Sequence, residues 1–426
     1  MKRAHAKKLL GRTQAVLGSL KTSNLLDDLA WPRSVEEDFF RHKARRLPAH
    51  TYAIDTDGLR ADTQALTALQ KSIEGDHAIA SWLRGVAQGA IDRNRLVSAV
   101  GTKAFGRLSK SIYGGARSRF FQLPVRNLDL AEHLLKRIAI HGWDEAKDAS
   151  QPLLGDEAFA QELRRRIAKH RPGIQVRVLV DPHCTSKAIA GMRRLRIRQG
   201  ATFAPWEADG LFCHEVETHV FTAHNGALQP FAPFLKAGGP RSTPTQEGLA
   251  VFAELYNRAL GVPRLERLAL RVKLVDMAEQ GASFLDVYRH LLERGHAPRD
   301  AYLDGVRIFR GGLAQGGAPF TKDACYLAGL LHVYAFLSAF VRGGFRDEVE
   351  LLVSGRIALD DIAALAELRA MGLVERPVHR PRWLERWSTL LPYFSFTSFM
   401  DAVDLKPVEA HYQSVIAVAL SAKPKG

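Results

Sequence analysis

The segment CHEVETH, which begins at Cys213, contains side chains that together could bind a metal ion and activate water. His214 and His219 are five positions apart, and Glu215 directly follows the first histidine. In a straight α-helix, residues five apart diverge by about 140° around the axis, whereas HExxH spacing keeps both imidazoles on one face. A π-helical turn would bring the two histidines back together. The spacing would therefore suit a zinc ion only in a distorted helix, and Glu215 could then take a proton from a metal-bound water.

Glu247 is the candidate for a third ligand, in the segment TPTQEGLAVFAELYNRALG. Thr243 and Gln246 have the spacing of a capping box, and Pro244 favours a first helical turn, so a helix is predicted to begin there. Glu254 lies seven positions beyond Glu247, two turns further along the same face. A carboxylate at that place could orient a ligating imidazole without binding the metal itself.

Ordinary structural roles compete with each of these assignments. The histidines of an isolated HExxxH pattern are most often core or surface residues, and a glutamate in a first turn favours the helix dipole. His224, five positions after His219, could replace a ligand or cap carbonyl groups at the helix end. Spacing alone leaves these alternatives open.

The surrounding elements indicate an α+β fold that is predominantly helical. Apolar residues recur at helical spacing through residues 1–150, which predicts a helical N-terminal lobe. Residues 151–380 would form the core around the histidines, and residues 381–426 a C-terminal segment packed on that core.

A small sheet is predicted just before the histidine segment. IQVRVLVDP has the β-branched run of one strand, and RRLRIRQGATFAP resembles two strands on either side of Gly200. The helix that carries the histidines is predicted to run from Asp209 as its N-cap to Gly226 as its C-terminal stop.

The composition describes a folded, enzyme-sized chain of 426 residues, of which 46% are hydrophobic. Cys184, Cys213 and Cys325 lack CxxC spacing, so neither a disulfide framework nor a thiolate zinc site is expected, and a reducing cytoplasm fits. The basic N-terminus lacks the uninterrupted apolar stretch of a secretory signal. The apolar run from Cys325 to Val341 is shorter than the roughly 20 residues that span a bilayer, so it predicts a buried helix and no membrane association.

The net charge of +15 favours an acidic partner, although solubility accounts for it equally well. A regulator of gene expression that binds nucleic acid through its basic surface is the alternative function. The sequence has no helix-turn-helix, zinc-finger or RNP signature, so nucleic acid is the less favoured partner.

Arg194, Arg196 and Arg198 alternate with Leu195 and Ile197, which would place the three guanidinium groups on one face of a strand. If the protein acted on the C-terminus of a peptide, a guanidinium would suit bidentate binding of the terminal carboxylate, so these arginines are candidates for substrate binding. The solvated outer face of an edge strand is the alternative interpretation.

Several blocks in a fixed order resemble the family of flavohemoglobin expression-modulating QEGLA motif proteins: HEVETHVFTAHNG, QEGLAVFAE, LRVKLVDM, GASF, RIFRGG and FTKDACYLAGLL. The eukaryotic relatives of that family are the microtubule-associated tyrosine carboxypeptidases. The resemblance covers about residues 100 to 375 and implies a zincin-like metallopeptidase core. By position it makes His214, His219 and Glu247 the zinc ligands and Glu215 the catalytic base.

The function that the resemblance implies is a zinc carboxypeptidase acting on the C-terminal tail of a peptide or protein. An acidic tail and an aromatic final residue are candidates, and an endopeptidase on the same site is a further alternative. Arg310, Lys322 and Tyr326 are candidates for stabilising the oxyanion. Where family members usually have glycine this chain has Glu217, whose side chain would either point away from the site or narrow the substrate cleft.

Overall fold

The computed structural model describes residues 1–20, 25–121, 123–141, 152–171, 173–182, 184, 186–404 and 406–421. Within these residues the fold is predominantly helical with one small three-stranded sheet. The predicted fold class is confirmed in these terms.

Helices make up the N-terminal part of the chain, as predicted. They are Arg3–Ser19 (α1), Leu25–Asp28 (α2), Arg33–Arg41 (α3), Thr56–Lys71 (α4), Ala78–Ser98 (α5), Lys103–Tyr113 (α6), Asn127–His141 (α7) and Asp156–His170 (α8). The apolar residues that predicted α4 and α5 are buried, among them Leu66, Leu69 and Leu83. Burial of one apolar stripe is what stabilises helices of this kind.

The sheet consists of Arg177–Asp181 (β1), Ala188–Ala190 (β2) and Arg194–Arg198 (β3), in the order β1-β3-β2. β1 pairs with β3 in parallel, and β2 pairs with β3 antiparallel, so β2 is an edge strand. The prediction of a strand after Gly200 is wrong, because Phe203 forms only an isolated bridge with Leu154. β2 was not predicted, because three residues of Ala-Ile-Ala are too few for an alternating pattern to stand out.

After the sheet, the described residues are again mainly helical. The elements are Glu207–Leu211 (α9), the π-helix Phe212–Val220, Phe221–Ala227 (α10), the 3₁₀ turn Pro233–Lys236, Thr243–Tyr256 (α11), Val262–Glu279 (α12), Phe284–Glu293 (α13), Pro298–Phe309 (α14), the 3₁₀ turn Thr321–Ala324, Cys325–Arg342 (α15), Arg346–Leu351 (α16), the 3₁₀ turn Leu359–Asp361, Ile362–Ala370 (α17), Arg382–Glu385 (α18), Trp387–Ala402 (α19) and Lys406–Ser421 (α20).

Helix α11 starts where it was predicted to start, with Pro244 in its first turn. The predicted capping box is wrong, because Thr243 is already helical and the N-cap is Ser242, which makes no side-chain capping bond. The Ser242 hydroxyl instead bonds the Gly239 carbonyl in the preceding turn.

Two glycines allow α11 and α15 to approach very closely. A Cβ atom added to Gly248 would lie 2.2 Å from the carbonyl carbon of Gly329, and one added to Gly329 would lie 2.2 Å from the Pro244 oxygen. Backbone contacts of this kind are open only to residues without a side chain. The close approach places Glu247 on α11 beside the residues that begin α15.

The segment Thr321–Arg342 is long and apolar enough to cross a membrane by length and composition, and 44% of its most apolar window is buried within the protein. Val333 and Leu337 on α15 pack in one cluster with Phe252 on α11 and Trp383 on α18. This packing favours the predicted buried helix.

The main apolar core joins all three of the segments proposed from the sequence. One cluster includes Leu83 from the N-terminal helices, Phe252 and Val333 from the centre, and Trp383 and Phe394 from the C-terminal part. A shared cluster explains how the C-terminal part packs on the body. The boundaries at residues 150 and 380 stay a prediction.

Candidate metal centre

The helix of the two histidines winds as a π-helix over Phe212–Val220, as their spacing predicts. It continues α9 without a break and passes into α10, so it begins at Glu207 and ends at Ala227. Asp209 is therefore not the N-cap but lies inside the first turn. The wider winding returns residue i+5 to the face of residue i, and such turns concentrate at functional sites.

His214, His219 and Glu247 converge on one point. Their potential ligand atoms all lie within 4.8 Å of one another. The Oε2 atom of Glu247 is 3.6 Å from Nε2 of His214 and 3.6 Å from Nε2 of His219. Two imidazole nitrogens and one carboxylate oxygen at such separations could serve as three ligands of one metal ion.

The Oε2 atom of Glu247 is buried and has no hydrogen-bond partner among the described residues. Burial alone would raise the pKa of Glu247, but Lys322, His214 and His219 hold it well below its ordinary value. A buried carboxylate oxygen without a donor is costly unless a cation binds it. The residues present therefore fit a divalent metal ion.

Glu254 contacts Nδ1 of His214, the ring nitrogen that faces away from Glu247. Its Oε1 lies 2.6 Å from Nδ1 of His214, and its Oε2 accepts from Nε of Arg264 at 3.2 Å. Burial alone would raise the pKa of Glu254, but Arg264 and His214 bring it below its ordinary value. The ionised carboxylate fixes the imidazole orientation that turns Nε2 toward Glu247.

Lys322 forms an ion pair with the other carboxylate oxygen of Glu247. Its Nζ donates to Glu247 Oε1 at 2.6 Å and lies 3.3 Å from the Tyr326 hydroxyl. Burial would lower the pKa of Lys322, but the Glu247 carboxylate raises it above its ordinary value. The ammonium group therefore stays charged beside the metal centre.

Glu215 lies on the same helix turn, facing the edge of the sheet. Its Oε2 accepts a hydrogen bond from the backbone N–H of Ala190 in β2 at 3.0 Å. Glu215, both histidines and Glu247 line one cavity of about 1120 Å³. This volume is large enough for several residues of a peptide.

The family model of the microtubule-associated tyrosine carboxypeptidases matches residues 37–402. The chain belongs to this family. Family membership supports a carboxypeptidase-type function, whereas membership of the QEGLA motif family stays a prediction.

One solved structure, the Trypanosoma cruzi metallocarboxypeptidase 1, is similar at 14% sequence identity. The match covers 93% of this chain and 98% of that chain, with a TM-score of 0.36. No curated protein matches the chain.

In this member of the carboxypeptidase family, the arginines of β3 are spread over different surroundings. Arg198 lines the cavity and pairs with Asp300 at 3.0 Å. Arg196 pairs with Asp181 at 3.5 Å, and Arg194 is exposed; neither is among the residues that line the cavity. Binding of substrate by these three arginines stays a prediction.

The three candidates for oxyanion stabilisation also lie in different surroundings. Lys322 and Tyr326 adjoin Glu247, whereas Arg310 follows α14 and packs on the ring of Phe320 at 5.6 Å. All three line the cavity. Their roles in catalysis stay predictions.

Glu217 points away from the cavity. Its side chain is fully buried and accepts from Nε of Arg382 at 2.9 Å and from Arg171 at 3.4 Å. His224, the other residue left open by the sequence, lies 2.7 Å from the carbonyl oxygen of Met192 and is outside the metal cluster.

Sequence reasoning missed residues that contact the site from far along the chain. Arg264 holds Glu254, and the half-buried Arg356 donates to the His219 carbonyl oxygen at 3.3 Å. Tyr113 reaches the cavity from α6. The sequence gives no signal that would have found Arg356.

Proposed function

We propose that the chain is a zinc-dependent carboxypeptidase that removes the final residue from the C-terminal tail of a peptide or protein. The observation that carries the proposal is the convergence of His214, His219 and the unpaired Oε2 of Glu247. A donor set of two imidazoles and one carboxylate on two helices is typical of catalytic zinc sites. Family membership supports the reaction type.

Zinc held by these residues would polarise the scissile carbonyl and lower the pKa of water. Glu215 would take the proton from the attacking water and pass it to the leaving nitrogen. Lys322 and Tyr326 lie on the opposite side of Glu247 and provide donors for the developing oxyanion. The buried Lys322 ammonium needs no reorganisation for this, because Glu247 already orients it.

The cavity is suited to an extended chain. β2 is an edge strand whose residues Ala188, Ile189 and Ala190 line the cavity, and an edge strand can pair with a peptide backbone. The family description names tyrosine as the residue removed, which supports an aromatic final residue here. The net charge of +15 supports an acidic tail, and the unpaired cysteines support a cytoplasmic location.

Metal analysis and one substitution test the proposal. The purified protein should contain about one equivalent of zinc, and Glu215→Gln should keep that zinc while kcat falls about 10²- to 10⁴-fold. Glu293→Gln, at an exposed position of α13, is the matched control and should leave kcat unchanged. Substrates would be found with a peptide library randomised at its C-terminus and read by mass spectrometry. Native protein that takes up no zinc, or full activity of Glu215→Gln, would overturn the proposal.

A further inference from the structure

No described carboxylate lies within ion-pair distance of Arg310, whereas several other arginines of the cavity wall have carboxylate partners. Arg264 pairs with Glu254 at 3.2 Å, Arg271 with Asp304 at 3.3 Å and Arg307 with Asp323 at 2.7 Å. Arg310 is only 4% exposed, yet its side chain makes no hydrogen bond or ion pair with any residue that the structure describes.

The charges near Arg310 do not compensate for the missing partner. Asp323 acts on Arg310 only from beyond ion-pair distance and is itself held by Arg307 and Arg271. Burial, together with repulsion from Arg307, lowers the pKa of Arg310 to about 10. The group therefore remains charged at neutral pH, and burying a charge without a partner is unfavourable. A buried cation of this kind in a cavity wall is suited to a ligand that is an anion.

Tyr113 provides a second unpaired donor at the same place. Its hydroxyl group is buried and has no hydrogen-bond partner among the described residues. The rings of Tyr113 and Phe320 lie 5.6 Å apart, and the Arg310 guanidinium lies 5.6 Å from the same Phe320 ring. Both side chains therefore pack on one aromatic ring, and both line the cavity.

The backbone also fixes Arg310. The next residue, Gly311, has a φ of +78°, and a Cβ atom there would lie 2.4 Å from the Phe105 ring. Its N–H donates to the Tyr52 hydroxyl at 2.6 Å. The chain can thus turn at the end of α14 only with glycine in this place, and the turn directs Arg310 into the cavity.

We propose that Arg310 and Tyr113 form the subsite that binds the terminal carboxylate of the substrate. Lys322 connects this subsite to the metal centre, because it bonds Glu247 and its charge also acts on Tyr113. A terminal carboxylate belongs one residue beyond the scissile carbonyl, where neighbouring Cα atoms are about 3.8 Å apart. That the bound anion is a peptide's terminal carboxylate rests on the proposed function, whereas the existence of an anion site at Arg310 and Tyr113 does not.

Arg356 also has no carboxylate partner, but its situation differs. Its Nε is also buried without a partner among the described residues, but its guanidinium donates to the carbonyl oxygen of His219, a candidate ligand. We therefore assign the carboxylate to Arg310 and not to Arg356. The arginines of β3 are a weaker choice still, because Arg196 and Arg198 already have carboxylate partners.

The test uses metal-free protein, so that the subsite is measured apart from peptidase activity. N-acetylphenylalanine and its amide are titrated into the full chain in the presence of a chelator, with isothermal calorimetry as readout. The acid should bind at least about ten-fold more tightly than the amide, since a buried charged hydrogen bond distinguishes them. Arg310→Gln should abolish this preference, Arg310→Lys should keep part of it, and Tyr113→Phe should weaken binding of the acid several-fold.

Arg299→Gln is the matched control, because Arg299 also lines the cavity but pairs with Glu36. It should leave the preference for the acid over the amide unchanged.

Arg310→Gln should also keep or raise the melting temperature, because it removes a buried charge that has no partner, whereas loss of a purely structural arginine would lower it. Tyr113→Phe removes only a hydroxyl group and keeps the test decisive if Arg310→Gln fails to fold.

Equal binding of acid and amide by the wild-type protein, or an unchanged preference in Arg310→Gln, would overturn the subsite and leave the zinc peptidase intact. Conversely, a preference that depends on Arg310 in a protein that takes up zinc but hydrolyses no peptide would support the anion site and overturn the proposed function.

Discussion

Oε1 of Glu254 lies 2.6 Å from Nδ1 of His214, and this contact determines which imidazole nitrogen faces Glu247. Both partners are buried, and Arg264 neutralises the carboxylate from its other side. An acceptor beside Nδ1 keeps a proton on that nitrogen and fixes the ring orientation, so that Nε2 is the nitrogen that faces Glu247. The contact therefore prepares His214 as a ligand before any metal binds.

Glu254→Gln should weaken zinc binding about 10- to 100-fold, because an amide can adopt the wrong orientation and is a poorer acceptor than a carboxylate. The measurement is competition for zinc against a chelator of known affinity. The exposed Glu293→Gln should leave zinc affinity at the wild-type value. An affinity unchanged by Glu254→Gln would mean that the contact does not orient His214.

The contact between Gly248 and Gly329 leads to a prediction about stability. Gly248→Ala places a Cβ atom 2.2 Å from the Gly329 carbonyl carbon, so α11 and α15 must separate. We expect a loss of about 1–3 kcal/mol in the free energy of unfolding, and weaker zinc binding because Glu247 moves with α11. Urea denaturation and the same zinc competition measure the two effects.

Gly11→Ala is the matched control for this substitution. Gly11 is inside α1, and a Cβ atom there would meet nothing within 4 Å. Alanine should therefore raise the free energy of unfolding by about 0.5–1 kcal/mol through helix propensity. If Gly248→Ala behaved like Gly11→Ala, the close helix approach would have no energetic role.

The sequence was most informative where function depends on local spacing. The five-residue interval between His214 and His219 predicted the π-helix, and the interval between Glu247 and Glu254 placed both carboxylates on one helix face. These relations arise within single helices, whose geometry fixes which residues are neighbours.

Contacts between distant segments could not be predicted in this way. Arg382 reaches Glu217, 165 positions away, and Tyr113 reaches the cavity from a different helix. A charged residue in the sequence does not disclose its partner, so the sequence could not show that Arg196 pairs with Asp181 whereas Nε of Arg310 has no partner among the described residues. The capping box at Thr243 failed because one residue of difference in a helix start removes the side chain from the N-cap position.

The pair formed by Arg382 and Glu217 anchors the C-terminal segment to the π-helix. Burial raises the pKa of Glu217 even though Arg382 and Arg171 oppose this effect, so the carboxylate depends on its partners. Arg382→Gln should lower the free energy of unfolding by about 2–3 kcal/mol, because it leaves a buried carboxylate with a weaker partner. Urea denaturation measures the loss.

A double substitution tests the origin of that loss. Glu217→Gln combined with Arg382→Gln should be more stable than Arg382→Gln alone, because no unpaired charge remains buried. Arg386→Gln, at an exposed neighbouring position, should change stability by less than about 0.5 kcal/mol. Additive losses in the double variant would show that the ion pair is not the cause.

The protonation of His214 makes the stability of the metal-free protein depend on pH. Burial alone would lower the pKa of His214, but Glu247 and Glu254 raise it from 6.5 to about 9. A group whose pKa is higher in the folded state stabilises the protein fully below the unfolded value and loses that effect as the pH rises through the folded value. The metal-free protein should therefore lose a few kcal/mol of stability between pH 6.5 and 9.

Zinc should change this dependence, because a ligating imidazole must be neutral and metal binding then releases the proton. Urea midpoints measured across this pH range with a chelator should fall, whereas zinc affinity should rise up to about ten-fold per pH unit. His214→Gln removes the titrating group and should flatten the metal-free profile. A wild-type midpoint that stays constant in chelator would mean that His214 is neutral in the metal-free protein, and that Glu247 and Glu254 do not hold a proton on it.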